Sequence, residues 1–577
     1  MSKEIKTRQR KPKSEEAKQL KKIRDKHLEK HVLEVELVVS ENQRRFLLST
    51  MEDLRIIRNT LVGELMKNYK QMIHTKRFKR IQKDLILISN QLKSFNKESK
   101  DFKTKEKDLK AKQKALYDEK ESMLKEFDVT FDFIRTEGEK LNKSNYQKPD
   151  AVTTWSISDH IWSGMEKILY SDGKKLSFYK KGKFPTLQGK QAERCLILKH
   201  NDELNPQKNK PLGWYVSFQK NDFPLKTKKN DLFVEETLSY VLKYMENGKA
   251  IDERNIQAFL KEQPLTDTYR VCNNRIVHKQ IRGKDRFFVQ ITLEGRAVPK
   301  RKKDGTYRHA KGIGRIGVDL GTSTVAYVTD QEVGLQNLAE RSTKRTLKNE
   351  RKLKQLQRKA NWSRYKNNLN NYKYDGSIKR GIRLEWKRSN RYQKLQQQIK
   401  ELHRKNVASR KYAIHELTNH LRSIGDEVII EPMNFKALQK KSKEVTKNKK
   451  GKFNSRKRFG KSLLNRNPGY LKECLKKKFT YKEVDIWEYK ASQYDHKNGV
   501  FEKKKLSKRM HQFDDGTIVQ RDLYAAFLLR CANEDLKQIN QELCDQYFDS
   551  FKKLHDNFVL QIQSNKVKLL NSGIKIS

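Results

Sequence analysis

The stretch that decides the fold is RIGVDLGTSTVAYVT, residues 315–329. It contains two short apolar runs, typical of buried β-strands, joined by a tight Gly-Thr-Ser-Thr turn. A single acid, Asp319, interrupts the first run. A carboxylate on a buried strand carries a large desolvation cost unless a cation or hydrogen-bond donors meet it. We therefore expect Asp319 to belong to a metal or phosphate site, and the plainer alternative is an edge-strand acid beside a polar turn.

Two kinds of fold contain an acid in this setting. In nucleases of the RuvC or ribonuclease H type the acid binds Mg²⁺, whereas in ATPases of the actin and Hsp70 type Asp-Leu-Gly-Thr is a phosphate loop. Those ATPases need a second phosphate loop with adjacent glycines, and this sequence has no Gly-Gly dipeptide. The nuclease interpretation is therefore favoured.

The whole chain is strongly basic. Its 577 residues include 129 Lys and Arg against 71 Asp and Glu, a formal net charge of +58. Such a surface favours a polyanionic partner, and nucleic acid is the abundant one in a cell. Hydrophobic residues make up 35% of the chain, which is enough for folded cores. The length predicts about two to four domains.

Cysteine usage and hydropathy indicate where the protein works. The five cysteines are scattered and form no Cys-x-x-Cys pair, which indicates a reducing compartment and argues against disulfides. The sequence has neither a signal-peptide pattern nor an apolar run of about 18 residues. We therefore expect a soluble, cytoplasmic protein with no membrane partner. No heptad seam is long enough to predict a coiled coil, so the oligomeric state is left open.

Hydrophobic periodicity divides the first half of the chain. A basic segment, residues 1–30, precedes a strand predicted within 31–45. Helical spacing dominates 46–170, and the alternation typical of antiparallel strands returns in 171–311. The strand within 31–45 and those of 171–311 would together form one β-barrel interrupted by a helical domain.

A capping box predicts where the first long helix begins. Ser40 is followed three residues later by Gln43, and apolar residues then recur at helical spacing. One helix face is left for packing, and arginines lie on the others. We expect these arginines to contact nucleic acid: Arg44, Arg45, Arg55 and Arg58.

A basic helical insert, residues 335–421, separates the opening stretch from the next apolar strand. Basic charge on a stiff helix suits a phosphate backbone, and interleaved rings can stack on bases. The alternative is a solvated helix face. The rings are Trp362, Tyr365, Tyr372 and Tyr374. The cations expected to contact nucleic acid are Lys344, Arg345, Arg351, Arg358 and Lys359.

Two later acids could join Asp319. Glu431 follows a further apolar strand, and Asp522 lies on a helical run with Ala525 and Ala526 on the same face. Small alanines let a helix lie close on a sheet, so the three acids could meet at one sheet edge. Convergent carboxylates repel one another. Two Mg²⁺ ions about 4 Å apart, for which Mn²⁺ can substitute, would offset that repulsion and support phosphodiester hydrolysis.

At these residues the sequence resembles the transposon-encoded TnpB proteins and, more distantly, the type V CRISPR effectors, both RNA-guided DNA nucleases. The similar motifs are Gly-Val-Asp-Leu-Gly, Ile-Ile-Glu-Pro-Met and Arg-Asp-Leu-Tyr-Ala-Ala, residues 317–321, 429–433 and 521–526. Asp319, Glu431 and Asp522 take the positions of the family's catalytic, metal-binding acids. Arg521 in the third motif is a further expected nucleic-acid contact.

The resemblance implies a multidomain fold, α/β plus α+β. A ribonuclease H-like RuvC nuclease domain would span 312–490 around the basic insert and be completed by a C-terminal helix and tail, 517–577. The barrel would be an oligonucleotide-binding-like wedge, and the helices of 46–170 a recognition domain.

The resemblance also implies a function. The protein would bind a guide RNA, recognise a short target-adjacent motif and cleave matched double-stranded DNA through an RNA–DNA heteroduplex, in a prokaryotic cytoplasm near the nucleoid. Two alternatives stay open on the sequence: an RNA-guided DNA-binding protein that does not cleave, and a ribonuclease H-like transposase or integrase.

The chain departs from the family pattern at its zinc ribbon. Asp495 and Asn498 stand at the positions of the first cysteine pair, and no second pair follows before the third acid. Together with two lone histidines they make a poor tetrahedral set for Zn²⁺. We predict no zinc, and a metal-free hairpin over 491–516 that is held by packing and binds the target nucleic acid. Tyr524 stands where the family usually has Asn.

Overall fold

A computed structural model places most of the chain. It describes residues 30–94, 102–144, 146, 148–171, 173–190, 194–202, 210–227, 231–246, 269–294, 298, 300–302, 304–442, 444–448, 451–454, 456, 460–485, 488–502 and 508–576. The protein is a mixed α/β chain of two compact units, within residues 1–303 and 304–577. The basic segment 1–30 lies outside the described residues except for Lys30.

The first unit contains a seven-stranded antiparallel sheet. Its strands are β1 (Lys30–Leu37), β2 (Thr186–Gln188), β3 (Ile197–Asn201), β4 (Gly213–Phe218), β5 (Asn221–Lys226), β6 (Arg270–Ile281) and β7 (Lys284–Glu294). Their spatial order is β2-β6-β7-β1-β5-β4-β3. The N-terminal strand therefore pairs with β5 and β7 from the later segment, as predicted. Closure of this sheet into a barrel stays a prediction, because β2 and β3 are the outer strands of the described sheet.

Helices fill the sequence between β1 and β2. They are α1 (Glu41–His74), α2 (Lys76–Ser94), α3 (Phe102–Glu126), α4 (Phe131–Ser144) and α5 (Ala151–Tyr170), and α6 (Leu232–Glu246) follows β5. The predicted capping box begins α1: Ser40 N donates to Gln43 Oε1 (3.0 Å) and Gln43 N donates to Ser40 Oγ (3.3 Å). The predicted apolar face of α1 is buried, including Leu47, Leu54 and Leu61.

The second unit is built on a five-stranded mixed sheet. Its strands are β8 (Arg315–Leu320), β9 (Thr324–Val328), β10 (Val333–Asn337), β11 (Glu427–Ile430) and β12 (Thr480–Glu483), in the order β10-β9-β8-β11-β12. The opening stretch forms β8 and β9, as predicted. β11 runs parallel to both β8 and β12, so the acid-bearing first strand lies at the centre of the sheet.

Residues 335–337 correct the predicted extent of the basic insert. They belong to β10, which pairs antiparallel with β9, so the insert begins later than residue 335. The reason is a tight return from β9, in which Thr329 N donates to Glu332 O (2.9 Å). This turn brings a short strand back onto the sheet before the helix starts.

Helices cover both faces of this sheet. They are α7 (Glu340–Lys366), α8 (Asn390–Ile424), α9 (Phe435–Leu438), α10 (Gly460–Arg466), α11 (Pro468–Lys478), α12 (Arg521–Arg530) and α13 (Gln541–Ser564). Val318 and Ile430 pack in one core with Leu421 of α8 and with α11. Ile429, which points to the other face, packs with α12 and α13. This alternation follows from the two-residue period of a strand.

Short ladders replace the single hairpin predicted over 491–516. β13 (Tyr494–Asp495) pairs with β14 (Val500–Phe501), and β15 (Met510–Gln512) pairs with β16 (Ile518–Gln520). The second ladder continues past residue 516 because Gly516, with φ +81°, allows the tight turn that returns the chain. In the described part of the chain, no helix combines the length and the apolar character needed to cross a membrane.

One glycine sets the distance between α12 and β8. A Cβ atom on Gly317 would lie 1.9 Å from the Ala526 carbonyl oxygen and 2.5 Å from the Arg530 amide nitrogen. Both neighbours are helix backbone, which cannot rotate away as a side chain would. Gly317 is therefore required for α12 to lie directly on the sheet.

Gly317→Ala should lower the free energy of unfolding by about 2 kcal/mol or more, because α12 must move off β8. Urea unfolding followed by circular dichroism measures this. Gly469→Ala is the matched control, since a Cβ there meets no atom within 4 Å, and it should leave stability unchanged or slightly higher. Equal stability of the two variants would contradict the close approach.

Candidate metal centre and nucleic-acid interface

The pairing of β8 with β11 places two of the three predicted acids side by side. Ile429 lies opposite Gly317, and Ile430 lies opposite Val318. Continuing the register by one residue puts Glu431 level with Asp319 on a strand about 4.8 Å away. Because side chains alternate along a strand, both acids belong to the face that carries Gly317 and packs against α12.

The direction of α12 brings the third acid to the same edge. Arg315 Nη1 donates to a carbonyl just past the end of α12 (2.8 Å), and Gly317 meets Ala526 in its middle. The helix is therefore antiparallel to β8. Asp522 lies one turn before Ala526, about 6 Å along the helix. Asp319 lies two residues past Gly317, about 6.6 Å along the strand in the same direction.

The pKa of Asp319 reflects its burial and the charges of the other two acids. Burial, together with the negative charges of Asp522 and Glu431, raises this pKa to about 8. The positive charge of Arg521 opposes it. Burial also raises the pKa of Glu431, against a hydrogen bond from the Ala491 backbone that lowers it.

Protein donors already hold two of the carboxylates. Glu431 Oε1 accepts from Ala491 N (3.1 Å), and Asp522 Oδ1 accepts from Arg521 Nη2 (3.1 Å). Among the residues that the structure describes, no three His, Cys, Asp or Glu side chains are gathered closely enough to hold a metal ion. A cation would therefore have to draw the carboxylates together and displace the guanidinium from Asp522.

The chemistry of the trio fits Mg²⁺ or Mn²⁺. Its donors are carboxylate oxygens, which hard divalent cations prefer over sulfur and imidazole. Burial, with the nearby charges of Asp522 and Glu431, raises the pKa of Asp319, and a divalent cation at the site would favour its ionised form. The residues present therefore suit the predicted ion.

Three positioning groups were not predicted from the sequence. Gly317 sets the helix distance, and the Ala491 amide reaches Glu431 from a distant loop. Gln520 caps α12. Its side-chain oxygen accepts from Leu523 N (2.8 Å), and its backbone N–H donates to His555 Nε2 (2.9 Å). Gly317, two residues before Asp319, could have indicated a close backbone approach from the sequence. The contacts of Ala491 and His555 could not, because they join segments far apart in sequence.

An aromatic and hydrogen-bonded core occupies the predicted zinc-ribbon region. The Tyr524 hydroxyl accepts from His496 N (3.0 Å), and the His511 ring stacks on the Tyr524 ring with centroids 4.9 Å apart. His511 Nε2 lies 3.0 Å from Asp495 Oδ2. Tyr524 therefore joins these ladders to α12. The absence of zinc stays a prediction.

The predicted arginines of α1 make contacts within the first unit. Arg44 pairs with Glu41 and Asp285, both at 2.8 Å, and Arg45 pairs with Glu41. Arg55 pairs with Glu52, and Arg58 donates to Ser177 O (2.8 Å) and lies over the Tyr179 ring. These contacts order the helix surface, and contact with nucleic acid stays a prediction for all four.

The five predicted cations of α7 are exposed. Lys344 pairs with Glu340 (2.9 Å), and the others project from the helix over four turns: Arg345, Arg351, Arg358 and Lys359. Arg521, in contrast, is largely buried against Asp522. Its position is that of a counter-ion to the acidic trio, and its contact with nucleic acid stays a prediction.

Comparison with known proteins gives weak structural matches only. No protein-family model and no curated protein matches the chain. A Cas12f1–sgRNA–target DNA complex solved by cryo-EM is similar at 12% identity and a TM-score of 0.37, over 88% of this chain and all of that chain. A CRISPR-Cas12f ternary complex is similar at 12% identity and a TM-score of 0.23, over 86% and 82% of the two chains. At such TM-scores the site must be interpreted from its own residues.

The raised pKa of Asp319 predicts that Asp319→Asn stabilises the metal-free protein. The pKa of Asp in an unfolded chain is about 3.9, so between that pH and about 8 the folded state binds more protons at Asp319 than the unfolded state does. The protein therefore loses stability as the pH rises through this range. At pH 7.5 with a chelator, the substitution should raise the free energy of unfolding by more than about 1 kcal/mol, and the gain should vanish near pH 4. Asp549→Asn, at an exposed acid of α13, should change it little; a destabilised Asp319→Asn protein would contradict the electrostatic description.

The packed histidines predict a zinc-free protein. Elemental analysis of the purified chain should find no stoichiometric zinc, and a strong chelator should not lower the melting temperature. The physical reason is that Tyr524 and neighbouring rings already fill and hydrogen-bond this region. Stoichiometric zinc, or a chelator-induced drop in melting temperature, would contradict the prediction.

Proposed function

We propose that this protein is an RNA-guided, Mg²⁺-dependent DNA endonuclease with one RuvC-type active site. It binds a guide RNA, recognises a short motif beside its target and cleaves double-stranded DNA that pairs with the guide. The observation that carries the proposal is the approach of Asp319, Glu431 and Asp522, from two strands and a helix, to one edge of the second unit's sheet.

The three acids would hold the metal. When bound, two Mg²⁺ ions activate a water molecule and stabilise the leaving oxygen of a phosphodiester. The chain itself supplies orientation. The Ala491 amide fixes one oxygen of Glu431, and Gln520 and His555 fix the start of the helix that carries Asp522.

Arg521 has two effects in the proposed site. It neutralises Asp522 in the metal-free protein and opposes the rise in the pKa of Asp319. With a cation bound at the Asp522 carboxylate, the Arg521 guanidinium would be free to meet a phosphate of the substrate, for which Arg has the right fork geometry.

The basic charge supports nucleic acid as the partner. The net charge of +58 and the exposed cations of α7 suit the phosphates of an RNA scaffold and of a heteroduplex. In RNA-guided recognition, base pairing selects the sequence while the protein binds the duplex by shape and backbone. This division requires charge on the protein rather than base-specific side chains.

The decisive experiment starts from the RNA that co-purifies with the chain. Its sequencing should give one specific small RNA, and the complex should cleave DNA matched to that RNA in Mg²⁺ or Mn²⁺. Asp319→Ala, Glu431→Ala and Asp522→Ala should each lower the cleavage rate by at least about 100-fold through loss of a metal ligand, with RNA retention unchanged.

Asp549→Ala is the matched control, because Asp549 is an exposed acid of α13 that lies outside both the trio and the predicted target-binding region, and this variant should cleave DNA at the wild-type rate. Specific RNA and DNA binding without metal-dependent cleavage would identify the non-cleaving alternative. Strand transfer of a DNA end without bound RNA would identify a transposase or integrase.

A further inference from the structure

The connection between α7 and α8, in the middle of the basic insert, forms an ordered surface. The two helices pack as an antiparallel hairpin around Leu356, Ala360, Leu395 and Ile399. We call residues 362–389, where the hairpin ends, the tip. None of the acids of the candidate metal site belongs to the tip.

Buried amides give the tip a defined shape. Asn368 Oδ1 accepts from Lys387 N (2.6 Å), and its Nδ2 donates to Arg364 O and Lys387 O. Asn371 Nδ2 donates to Glu385 O (2.5 Å). Both asparagines are buried, so these bonds pin the two sides of the connection to each other.

Aromatic rings line the tip. The Trp362 and Tyr365 rings stack with centroids 6.0 Å apart, and edge contacts continue from Tyr365 to Tyr372 (4.8 Å) and from Tyr372 to Trp386 (5.9 Å). Two rings are open to solvent: Trp362 is 65% exposed and Tyr374 is fully exposed. Two exposed rings within one hydrogen-bonded connection are available to stack on the bases of a nucleic acid.

Cations surround these rings. The tip has eight Lys and Arg residues and only two acids, Asp375 and Glu385. Asp375 is used by its own turn, where it accepts from Ser377 N (2.8 Å). The exposed cations are Lys366, Lys373, Lys379, Arg380, Arg383, Lys387 and Arg388.

We propose that the tip binds unpaired bases of a nucleic acid strand, by stacking on Trp362 and Tyr374 while the surrounding cations meet its phosphates. Duplex bases hide their faces in their own stack, whereas unpaired bases offer them to a ring. A protein partner for so basic a surface would have to be acidic, whereas a nucleic acid strand supplies both phosphates for the cations and base faces for the rings. The inference builds on the proposed function only in taking nucleic acid as the partner.

The test is binding, not cleavage. A labelled single strand of about 20 nucleotides without self-complementarity, made once as RNA and once as DNA, is titrated with the full chain by fluorescence anisotropy. A duplex of the same length is titrated in parallel. The double variant Trp362→Ala, Tyr374→Ala should weaken single-strand binding by about 10-fold or more, because both rings on which bases would stack are removed. Duplex binding should change by less than about 2-fold, because the cations are kept.

Two controls test whether a ring is needed at these positions and whether the ring has to lie in the tip. Trp362→Phe, Tyr374→Phe should keep most of the affinity, because a ring remains. Tyr412→Ala removes a ring of equal exposure, 65%, about 33 Å along α8 from its start, and should leave single-strand binding unchanged. If the double alanine variant loses affinity for the RNA strand, for the DNA strand or for both, the proposal is supported, and the pattern tells which kind of strand the tip binds.

The proposal is overturned if the double alanine variant binds single strands as the wild type does, or if it loses duplex binding equally. Either result is independent of the metal site, because the assay contains a chelator and no cleavage is measured. A chain that binds single strands through the tip but never cuts DNA would refute the proposed nuclease and leave this inference standing.

Discussion

The burial of the Asp319 carboxyl group beside the charges of Glu431 and Asp522 is the constraint on which the candidate site depends. Burial and the charges of Glu431 and Asp522 hold a proton on Asp319 near neutral pH. The chain keeps this arrangement through backbone geometry. Gly317 lets the helix that carries Asp522 lie on the central strand, and the parallel β8–β11 register aligns Glu431 with Asp319. A buried acid of this kind costs stability and is typical of sites that bind cations or transfer protons.

Groups around the trio limit that cost without removing it. The Ala491 amide and the Arg521 guanidinium each meet one carboxylate. The ladders beside α12 are tied to that helix in another way: the Tyr524 hydroxyl accepts a hydrogen bond from His496 N, and the His511 ring stacks on the Tyr524 ring. These contacts join the ladders to the helix that carries Asp522.

Much of this organisation was predictable because it follows local rules. Three local patterns indicated elements that the structure contains: the two apolar runs around Asp319, the capping box at Ser40, and the helical run that carries Asp522 with Ala525 and Ala526. The missed parts depend on distant segments. β10 is a strand because a tight turn returns it to β9, and Ala491 reaches Glu431 across 60 positions. No local pattern encodes those meetings. The pairs that Glu41 and Glu52 make with the α1 arginines are different, because they join residues three or four positions apart on one helix.

The central claim is that Asp319, Glu431 and Asp522 form one divalent-metal site, and Mn²⁺ binding followed by electron paramagnetic resonance tests it most directly. The account predicts that the wild-type chain binds at least one Mn²⁺ that Mg²⁺ displaces, and that this binding is lost in Glu431→Gln but kept in Asp514→Asn. Unchanged Mn²⁺ binding in Glu431→Gln, with both proteins folded, would contradict it.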